Sequence, residues 1–356
     1  MTILAAILGL IALIVIHELG HMLAAKAMGV HVPEFGVGFG PALIKKKIGK
    51  TVYSFRVILL GGFAKMEGME GMASVEKETG EFGPDAYPSK PAWRRAVIIL
   101  AGPLANLLAA VVIFAVLFMG VSPPTTEVES VVSGSLAEQV GLQEGDRIVS
   151  VEGQEIEDWG RFQQAVDARS PGDEVELVVE RGGEREEFSG ALTADERDPE
   201  RALVGVQPKL SEEETYGPLQ ALGLGVERTF QIIGLFGWFI GQLATGEVSF
   251  YDSVSSPIGV VGVSSDVAAQ GAQSFAALLA LISLNLAIFN LLPILPLDGG
   301  HLFFIAAEKV LGRPVSAETV AKVAALGLAL ILMLFVFATY ADLSKIFTGQ
   351  PFIPDP

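Results

Sequence analysis

The stretch that decides the fold is residues 2–24, TILAAILGLIALIVIHELGHMLA, which stays apolar until His17, Glu18 and His21 interrupt it. About 20 mostly apolar residues cross a bilayer as a helix, and polar groups inside such a helix are costly unless they are paired or bind a metal. The four-residue spacing puts both imidazoles on one helix face, where they can share a zinc ion, with Glu18 beside them as a candidate proton acceptor. The alternative is a polar seam that binds neighbouring helices. The stretch favours a metal site inside a membrane span.

Three other stretches can cross a bilayer, so the sequence predicts four spans. They are residues 96–120, which carry no charge, a segment within the uncharged run 267–297, and residues 323–341. Residues 1–16 resemble a signal peptide in their apolarity. They have no basic start, however, and no small-residue cleavage site follows them, so we expect a retained first span.

Charge is distributed unevenly along the 356 residues. Residues 121–215 hold 24 acidic against 8 basic side chains, whereas the other 261 residues hold 17 against 16. The chain is therefore predicted to be an apolar membrane body with one acidic soluble insert. This balance argues against nucleic-acid binding, which needs a basic face. The absence of cysteine excludes disulfides, zinc–thiolate sites and thiol nucleophiles.

Lysine and arginine are concentrated in two loops, and this sets the predicted orientation. Residues 26–95 carry 11 of them, and three more lie between the third and fourth spans. Because basic loops face the cytoplasm, both loops are expected there. The acidic insert and both chain termini are then expected on the outer side of the membrane.

A catalytic zinc site takes three protein ligands, and without cysteine the third must be His, Asp or Glu. Residues 290–301, NLLPILPLDGGH, supply two candidates at the end of the third span, Asp298 and His301. Two prolines break the helix there and a glycine pair permits irregular backbone, which membranes tolerate only where protein buries it or water reaches it. Asp298 is the favoured ligand. The alternatives are His301 as the ligand and a helix-capping role for Asp298, and His301 could also hold the carboxylate of Asp298 in place.

The depth of these groups also decides how a fifth apolar stretch is interpreted. Residues 229–246 are uncharged but short and rich in glycine. If they formed another span, Asp298 and His17 would reach opposite leaflets, so we expect them to lie in the membrane interface. His31, beyond the first span, is interpreted as a surface histidine.

These motifs together resemble the site-2 protease family of intramembrane zinc metalloproteases, in particular its bacterial regulator-of-sigma-E protease type with a single PDZ domain. The likeness rests on H-E-x-x-H in the first span, N-x-x-P followed by L-D-G in a late span, and the intervening domain. It extends to residues 35–41, 61–66 and 101–106. The resemblance implies that His17, His21 and Asp298 bind one Zn²⁺ per chain and that Glu18 is the general base. One departure is Pro296, which stands one residue later than the family's second proline.

Residues 32–65 predict strands and turns, with Gly61 and Gly62 ending the last strand. The resemblance implies a membrane-associated β-sheet that presents a strand edge to the substrate. Edge pairing is physically reasonable, because a protease must attack extended backbone and a transmembrane helix hides its amides in its own hydrogen bonds. We therefore count Gly61 and Gly62 among the predicted substrate-binding residues.

Three asparagines lie in apolar stretches, and polar groups there need partners. Asn290 is expected to hold the unwound substrate and its oxyanion, and Asn106 to brace the sheet. Asn285 fits a substrate role and a plain helix–helix hydrogen bond equally well.

The acidic insert reads as short strands separated by turns over residues 126–210. Residues 134–149 resemble the helix-then-strand core of a PDZ domain, and residues 202–208 would supply the edge strand and carboxylate-binding loop of a circularly permuted one. Two roles remain open. The insert either docks an extended peptide or C-terminus by strand addition, or acts as a size filter without peptide affinity.

The predicted fold is a polytopic α-helical membrane protein of four spans, with a membrane-associated β-sheet and an inserted extracytoplasmic PDZ-like α+β domain. Its predicted parts are residues 1–120 (first two spans and sheet), 121–211 (PDZ-like domain), 212–272 (interfacial amphipathic helix and linker) and 273–356 (last two spans).

The predicted function is hydrolysis of peptide bonds within or near the transmembrane segment of single-span proteins, at the cytoplasmic side of a bacterial inner membrane. The resemblance implies anti-sigma factors first cut by a site-1 protease, or remnant signal peptides, as substrates. Expected partners are these substrates, a peptide or C-terminus on the PDZ-like domain, and membrane lipid, but no nucleic acid. The alternatives are a membrane metal-binding or transport protein and a non-enzymatic PDZ scaffold.

Overall fold

The structure is a computed structural model that describes residues 2–69, 82–195, 199–211, 215–246, 257–313 and 315–348. In chain order its elements are α1 (Thr2–Ala27), β1 (Glu34–Ile48), β2 (Thr51–Lys65), α2 (Ala92–Met119), β3 (Pro124–Val131), α3 (Leu136–Val140), β4 (Arg147–Val151), β5 (Gln154–Glu155), α4 (Trp159–Asp167), β6 (Glu174–Arg181), β7 (Glu184–Ala191), β8 (Thr193–Ala194), β9 (Ala202–Leu203), β10 (Val206–Leu210), α5 (Pro218–Thr245), α6 (Pro257–Gln270), α7 (Ala272–Asn290), α8 (Asp298–Leu311) and α9 (Ala317–Thr348). They form two units, Phe118–Gln220 and the remainder of the chain.

Four helices are long and apolar enough to cross a membrane, at the four places the sequence predicts. Within the described residues they are Ile3–Ala27, Ala92–Met119, Ala272–Asn290 and Glu318–Ser344, which belong to α1, α2, α7 and α9. The chain is therefore a multi-pass membrane protein. The fifth apolar stretch belongs to the 28-residue helix α5, and its place in the membrane interface stays a prediction.

Helices α1 and α2 pack closely because each has a glycine where the other approaches. A Cβ added at Gly20 would overlap the carbonyl of Ala101, and one added at Gly102 would overlap the ring of His21. The close approach brings the backbone of α2 to the polar face of α1. Helix α2 continues through Pro103, whose missing N–H removes one helical hydrogen bond in the same turn.

Strands β1 and β2 form an antiparallel sheet in which the start of β1 has β2 on both of its sides. Phe35 is paired with Tyr53 and with Ala64, and the neighbouring residues follow the same double pattern. The prediction that the glycine pair ends the last strand is wrong, because β2 runs on to Lys65. Gly61 has a φ of +115°, which a side chain would disfavour, and this residue lets the strand bend back along β1. Residues 62–65 therefore form one edge of the sheet.

The insert is an α+β unit, as predicted. Its main sheet has the order β10-β3-β4-β6-β7, so β10 is an edge strand in the described part of the unit. The predicted helix-then-strand core is present as α3 and β4, and the Ser135 side chain caps α3 by accepting from the amide of Glu138. The buried side chains of the sheet and of α4, including Ile148, Val179 and Phe162, form one apolar core. The core is built from side chains of short strands and helices, so local sequence patterns were enough to predict this unit.

Candidate active site

Three side chains from two distant segments converge in the membrane unit. His17 Nε2 lies 3.2 Å from His21 Nε2, and Asp298 Oδ2 lies 3.1 Å from the first and 3.3 Å from the second. The histidines are 9% and 6% exposed, and the Asp298 side chain is 14% exposed. In the described part of the chain these three residues form the group able to hold a metal ion. The structure thus brings Asp298, which follows the third predicted span, against the two histidines of the first span.

The three ligand atoms fit a zinc ion. Zinc binds histidine nitrogen and carboxylate oxygen at about 2.0–2.2 Å in tetrahedral geometry, so its ligand atoms stand about 3.3 Å apart. The observed separations of 3.1–3.3 Å match that edge length. Asp298 Oδ2 is also buried without a hydrogen-bond partner within the described residues. A cation bound by all three atoms would neutralise the negative charge of the buried carboxylate.

Helix α2 orients both histidines. The Nδ1 of His21 donates to the backbone carbonyl of Ile98 at 2.9 Å, which leaves Nε2 free to bind a metal. The side-chain amide of Asn106 lies 3.4 Å from Nδ1 of His17. The role of Ile98 is not predictable from the sequence, because a backbone carbonyl leaves no mark there. Asn106 was expected to brace the sheet, whereas its side chain lies against the ring of His17.

Asp298 is placed by a tightly folded turn. It is the first residue of α8, and Leu297 takes the capping position without a side-chain cap, so the capping alternative for Asp298 is wrong. A Cβ added at Gly299 or Gly300 would overlap the backbone of residues 291–295. The glycine pair thus lets the preceding segment fold directly over the start of α8, which turns the carboxylate towards α1. His301 lies three residues further and outside the ligand group.

Glu18 is held by the edge of the sheet. Its Oε2 accepts a hydrogen bond from the amide of Ala64 at 3.1 Å. A Cβ added at Gly62 would lie 3.1 Å from the Cγ of Glu18, so that position is in contact with the same side chain. A carboxylate therefore stands between the metal-ligand group and an open strand edge.

A candidate metal-ligand triad, an adjacent carboxylate and a strand edge lie together in the unit that carries the four apolar helices. The sequence profile of peptidase family M50 matches residues 5–334. The chain belongs to peptidase family M50. The resemblance to site-2 proteases is thereby confirmed.

Relatives named "Putative zinc metalloprotease" occur in several bacteria. One from Agrobacterium fabrum is 33% identical and covers 96% of this chain and 95% of its own length. One from Clostridium perfringens is 30% identical, covering 96% and 98%. One from Fusobacterium nucleatum is 32% identical, covering 98% and 100%. Among solved structures, a PDZ domain from Listeria monocytogenes is 25% identical over 25% of this chain and 90% of that one, with a TM-score of 0.22.

The remaining candidate residues of this M50 chain lie in different parts of the structure. Asn290 is the last residue of α7, and its Nδ2 donates to the carbonyl of Leu286 at 3.0 Å. Asn285 is exposed on the same helix. His31 is partly exposed and lies outside the ligand group. The structure thus brings together Glu18, His17, His21, Asp298, Asn106 and Gly62.

Proposed function

We propose that this protein is an intramembrane zinc endopeptidase that hydrolyses peptide bonds within or near the transmembrane segment of single-span membrane proteins. The observation that carries the proposal is the triangle of ligand atoms of His17, His21 and Asp298, with Glu18 beside it on the strand edge. Membership of the peptidase family supports the reaction type. The spacing of the ligand atoms supports one Zn²⁺ per chain.

Each residue then has a definite task in hydrolysis. Zinc held by His17, His21 and Asp298 would supply Lewis acidity to the scissile carbonyl and to water. Glu18 takes a proton from the attacking water and delivers it to the leaving amine as the C–N bond breaks. The water oxygen ends in the new carboxylate.

The substrate would bind as an added strand at residues 62–65. Ala64 points its N–H at Glu18, away from β1, so by the alternation of an antiparallel ladder Gly62 also directs its N–H and C=O outwards. Those outward groups can pair with an unwound substrate segment and place its backbone beside Glu18. Glycine at position 62 leaves room for this approach. Gly61 supports the same edge by allowing the bend.

Asn290 is proposed to contact the substrate from the opposite side. One hydrogen of its amide is used on Leu286, which leaves the second to stabilise a developing oxyanion. Asn106 was expected to brace the sheet. Because its side chain contacts His17, its proposed role is to hold that ring in place for the metal.

The proposed orientation follows the basic loops. With residues 26–95 in the cytoplasm, both termini and the insert lie outside a bacterial inner membrane, and the zinc site lies near the cytoplasmic face. Anti-sigma factors already cut by a site-1 protease and remnant signal peptides are the substrates that the resemblance implies. The insert is proposed to dock an extended peptide or C-terminus along β10.

Glu18→Gln tests the proposal. The variant should keep about one zinc per chain and lose cleavage of a co-expressed single-span substrate, because the amide cannot accept the proton. Glu318→Gln, which removes an exposed carboxylate of α9, is the matched control and should cleave normally. Full cleavage by Glu18→Gln would contradict the role of Glu18 as general base. Bound zinc without any cleavage by the wild-type protein would support a metal-binding or transport protein, and an absence of zinc from the wild-type protein would support a scaffold.

A further inference from the structure

An ion pair joins the two helices on which the zinc site depends. Arg95 Nη2 in the first turn of α2 donates to Glu308 Oε2 in the second half of α8 at 2.5 Å. The two side chains are 15% and 16% exposed. A pair so well shielded from solvent is hard to break, since either charge alone would be left desolvated.

The two helices meet the zinc ligands from different sides. One turn beyond Arg95, the carbonyl of Ile98 accepts the hydrogen bond of His21. At the other end of the pair, Glu308 lies ten residues after Asp298 on the same helix. The ion pair therefore connects the helix that orients the histidines to the helix that carries the third ligand.

The segments that flank α8 in the chain do not fix its position. Before it, residues 291–297 are irregular, and after it Gly312 adopts a left-handed conformation with φ of +66°. Its position relative to α1 must come from lateral contacts. Two of them are the burial of Ile305 in an apolar cluster with Ile98 and Met22, and the Arg95–Glu308 pair.

A buried tyrosine completes the environment of the pair. Tyr87 is 2% exposed, in the turn that precedes α2. Burial raises the pKa of its hydroxyl, and of the nearby charges Arg95 lowers it while Glu308 and Asp298 raise it. The charges of the pair and of the Asp298 carboxylate thus act on one and the same buried group.

We propose that Arg95 and Glu308 are positioning residues that hold the carboxylate of Asp298 against His17 and His21 and so set the zinc affinity. This inference rests on the proposed zinc site. It predicts that removing the pair weakens metal binding although neither residue contacts the metal-ligand atoms. A merely stabilising ion pair would leave the zinc affinity unchanged in the folded protein.

The test compares two shielded ion pairs in the full-length protein. Zinc affinity is measured by competition with a chelator, and ligand geometry by the visible absorption of the Co²⁺-loaded protein. Glu308→Gln should weaken zinc binding about 10-fold and alter the Co²⁺ spectrum. The matched control is Glu34→Gln, which removes the Arg56–Glu34 pair of the sheet, with 2.7 Å between its atoms and 22% and 20% exposed side chains. The control should keep the wild-type zinc affinity.

The charge-reversed double variant, Arg95→Glu with Glu308→Arg, should recover most of the lost affinity, whereas each single reversal should not. If Glu308→Gln fails to fold, the double variant and the shortened Glu308→Asp carry the same comparison. Wild-type zinc affinity in Glu308→Gln, or equal losses in Glu308→Gln and Glu34→Gln, would overturn the inference. If the wild-type protein itself binds no zinc, the proposed function fails instead.

Discussion

Two of the strand edges in the described part of the chain differ in what stands beside them. Residues 62–65 of β2 pair with β1 on one side and offer Ala64 to Glu18 on the other. Strand β10 pairs with β3 and is an edge strand of the insert's sheet, which packs on an apolar core. Both edges are proposed to bind extended backbone of any sequence, but of the two only the β2 edge lies beside a carboxylate and the proposed metal ligands.

Binding of an extended substrate and hydrolysis of its peptide bond have different structural requirements. Backbone pairing would supply affinity at either edge, because the outward N–H and C=O groups could pair with a partner strand. Hydrolysis requires in addition a proton acceptor and a site that polarises the carbonyl, and these are found at the β2 edge. Changes at the β2 edge should therefore act on turnover, and changes at β10 on binding alone.

The largest effect is expected from the ligand triangle that distinguishes the β2 edge. His21→Ala should reduce bound zinc from about one per chain to background and abolish cleavage, because one of three protein ligands is lost. Metal analysis of the purified protein measures this. His31→Ala is the matched control, since His31 lies outside the ligand group, and it should retain its zinc. Equal zinc in both variants would contradict the assignment.

The next effect concerns the outward amide of the β2 edge. Ala64→Pro removes the N–H that holds Glu18 without removing a ladder hydrogen bond to β1, and cleavage should fall about 100-fold as the carboxylate loses its position. Ala64→Val keeps the N–H and serves as the control. Zinc content should stay at the wild-type level in both. Unchanged cleavage by the proline variant would show that the edge does not organise the reaction.

A smaller effect is expected at the edge of the insert. Gly205 accepts a ladder hydrogen bond from the amide of Val132, so the next residue, Val206, directs its N–H outwards. Val206→Pro should raise KM for substrates about 2–10-fold, the equivalent of one hydrogen bond, and leave kcat unchanged. Val206→Thr retains the N–H and is the control. Equal KM values for the two variants would favour the size-filter role.

The smallest effect on cleavage is expected from the ion pair between Asp146 and Arg181 in the insert. Burial alone would raise the pKa of Asp146, but hydrogen bonds from Arg181 and the amide of Gln143 outweigh it and hold that pKa below its usual range. Because the folded pKa is lowered, the stabilisation is present above the unfolded value of about 3.9 and is lost as pH falls through the folded one.

Asp146→Asn should therefore destabilise the insert by about 1–3 kcal/mol at neutral pH. The difference from the wild type should shrink as pH falls below about 4. Hydrogen exchange of residues 124–210 in the full chain measures this separately from the membrane unit. A difference that persists at low pH would show that the charge of Asp146 is not its source.

Local patterns predicted those parts of the molecule that rest on periodicity or spacing. Four apolar runs gave four helices, and the histidine spacing placed two ligands on one face of α1. Asp298 was predicted to lie near His17, and the structure places the two side chains in contact. The role of Asp298 as a ligand stays a prediction. The helix-then-strand core of the insert was predictable because its turns and buried positions lie close together in the sequence.

The remainder depends on contacts between distant segments. The glycine pair at positions 61 and 62 reads as a strand end, and only the pairing with β1 shows that the strand bends and continues. The Ile98 carbonyl that orients His21 lies 77 residues away from it, and Arg95 lies 213 residues from Glu308. No local pattern marks such pairs, because their energy arises only when the helices pack.

The most direct test of the central claim is the mass of the cleavage products formed by the purified protein in H₂¹⁸O. A single-span substrate in detergent or liposomes should yield one new C-terminal carboxylate that carries one ¹⁸O, at a bond within or beside the substrate's transmembrane segment. The Glu18→Gln protein should yield none. A cut confined to the substrate's soluble regions, or equal ¹⁸O incorporation by the Glu18→Gln protein, would contradict an intramembrane peptidase built on this site.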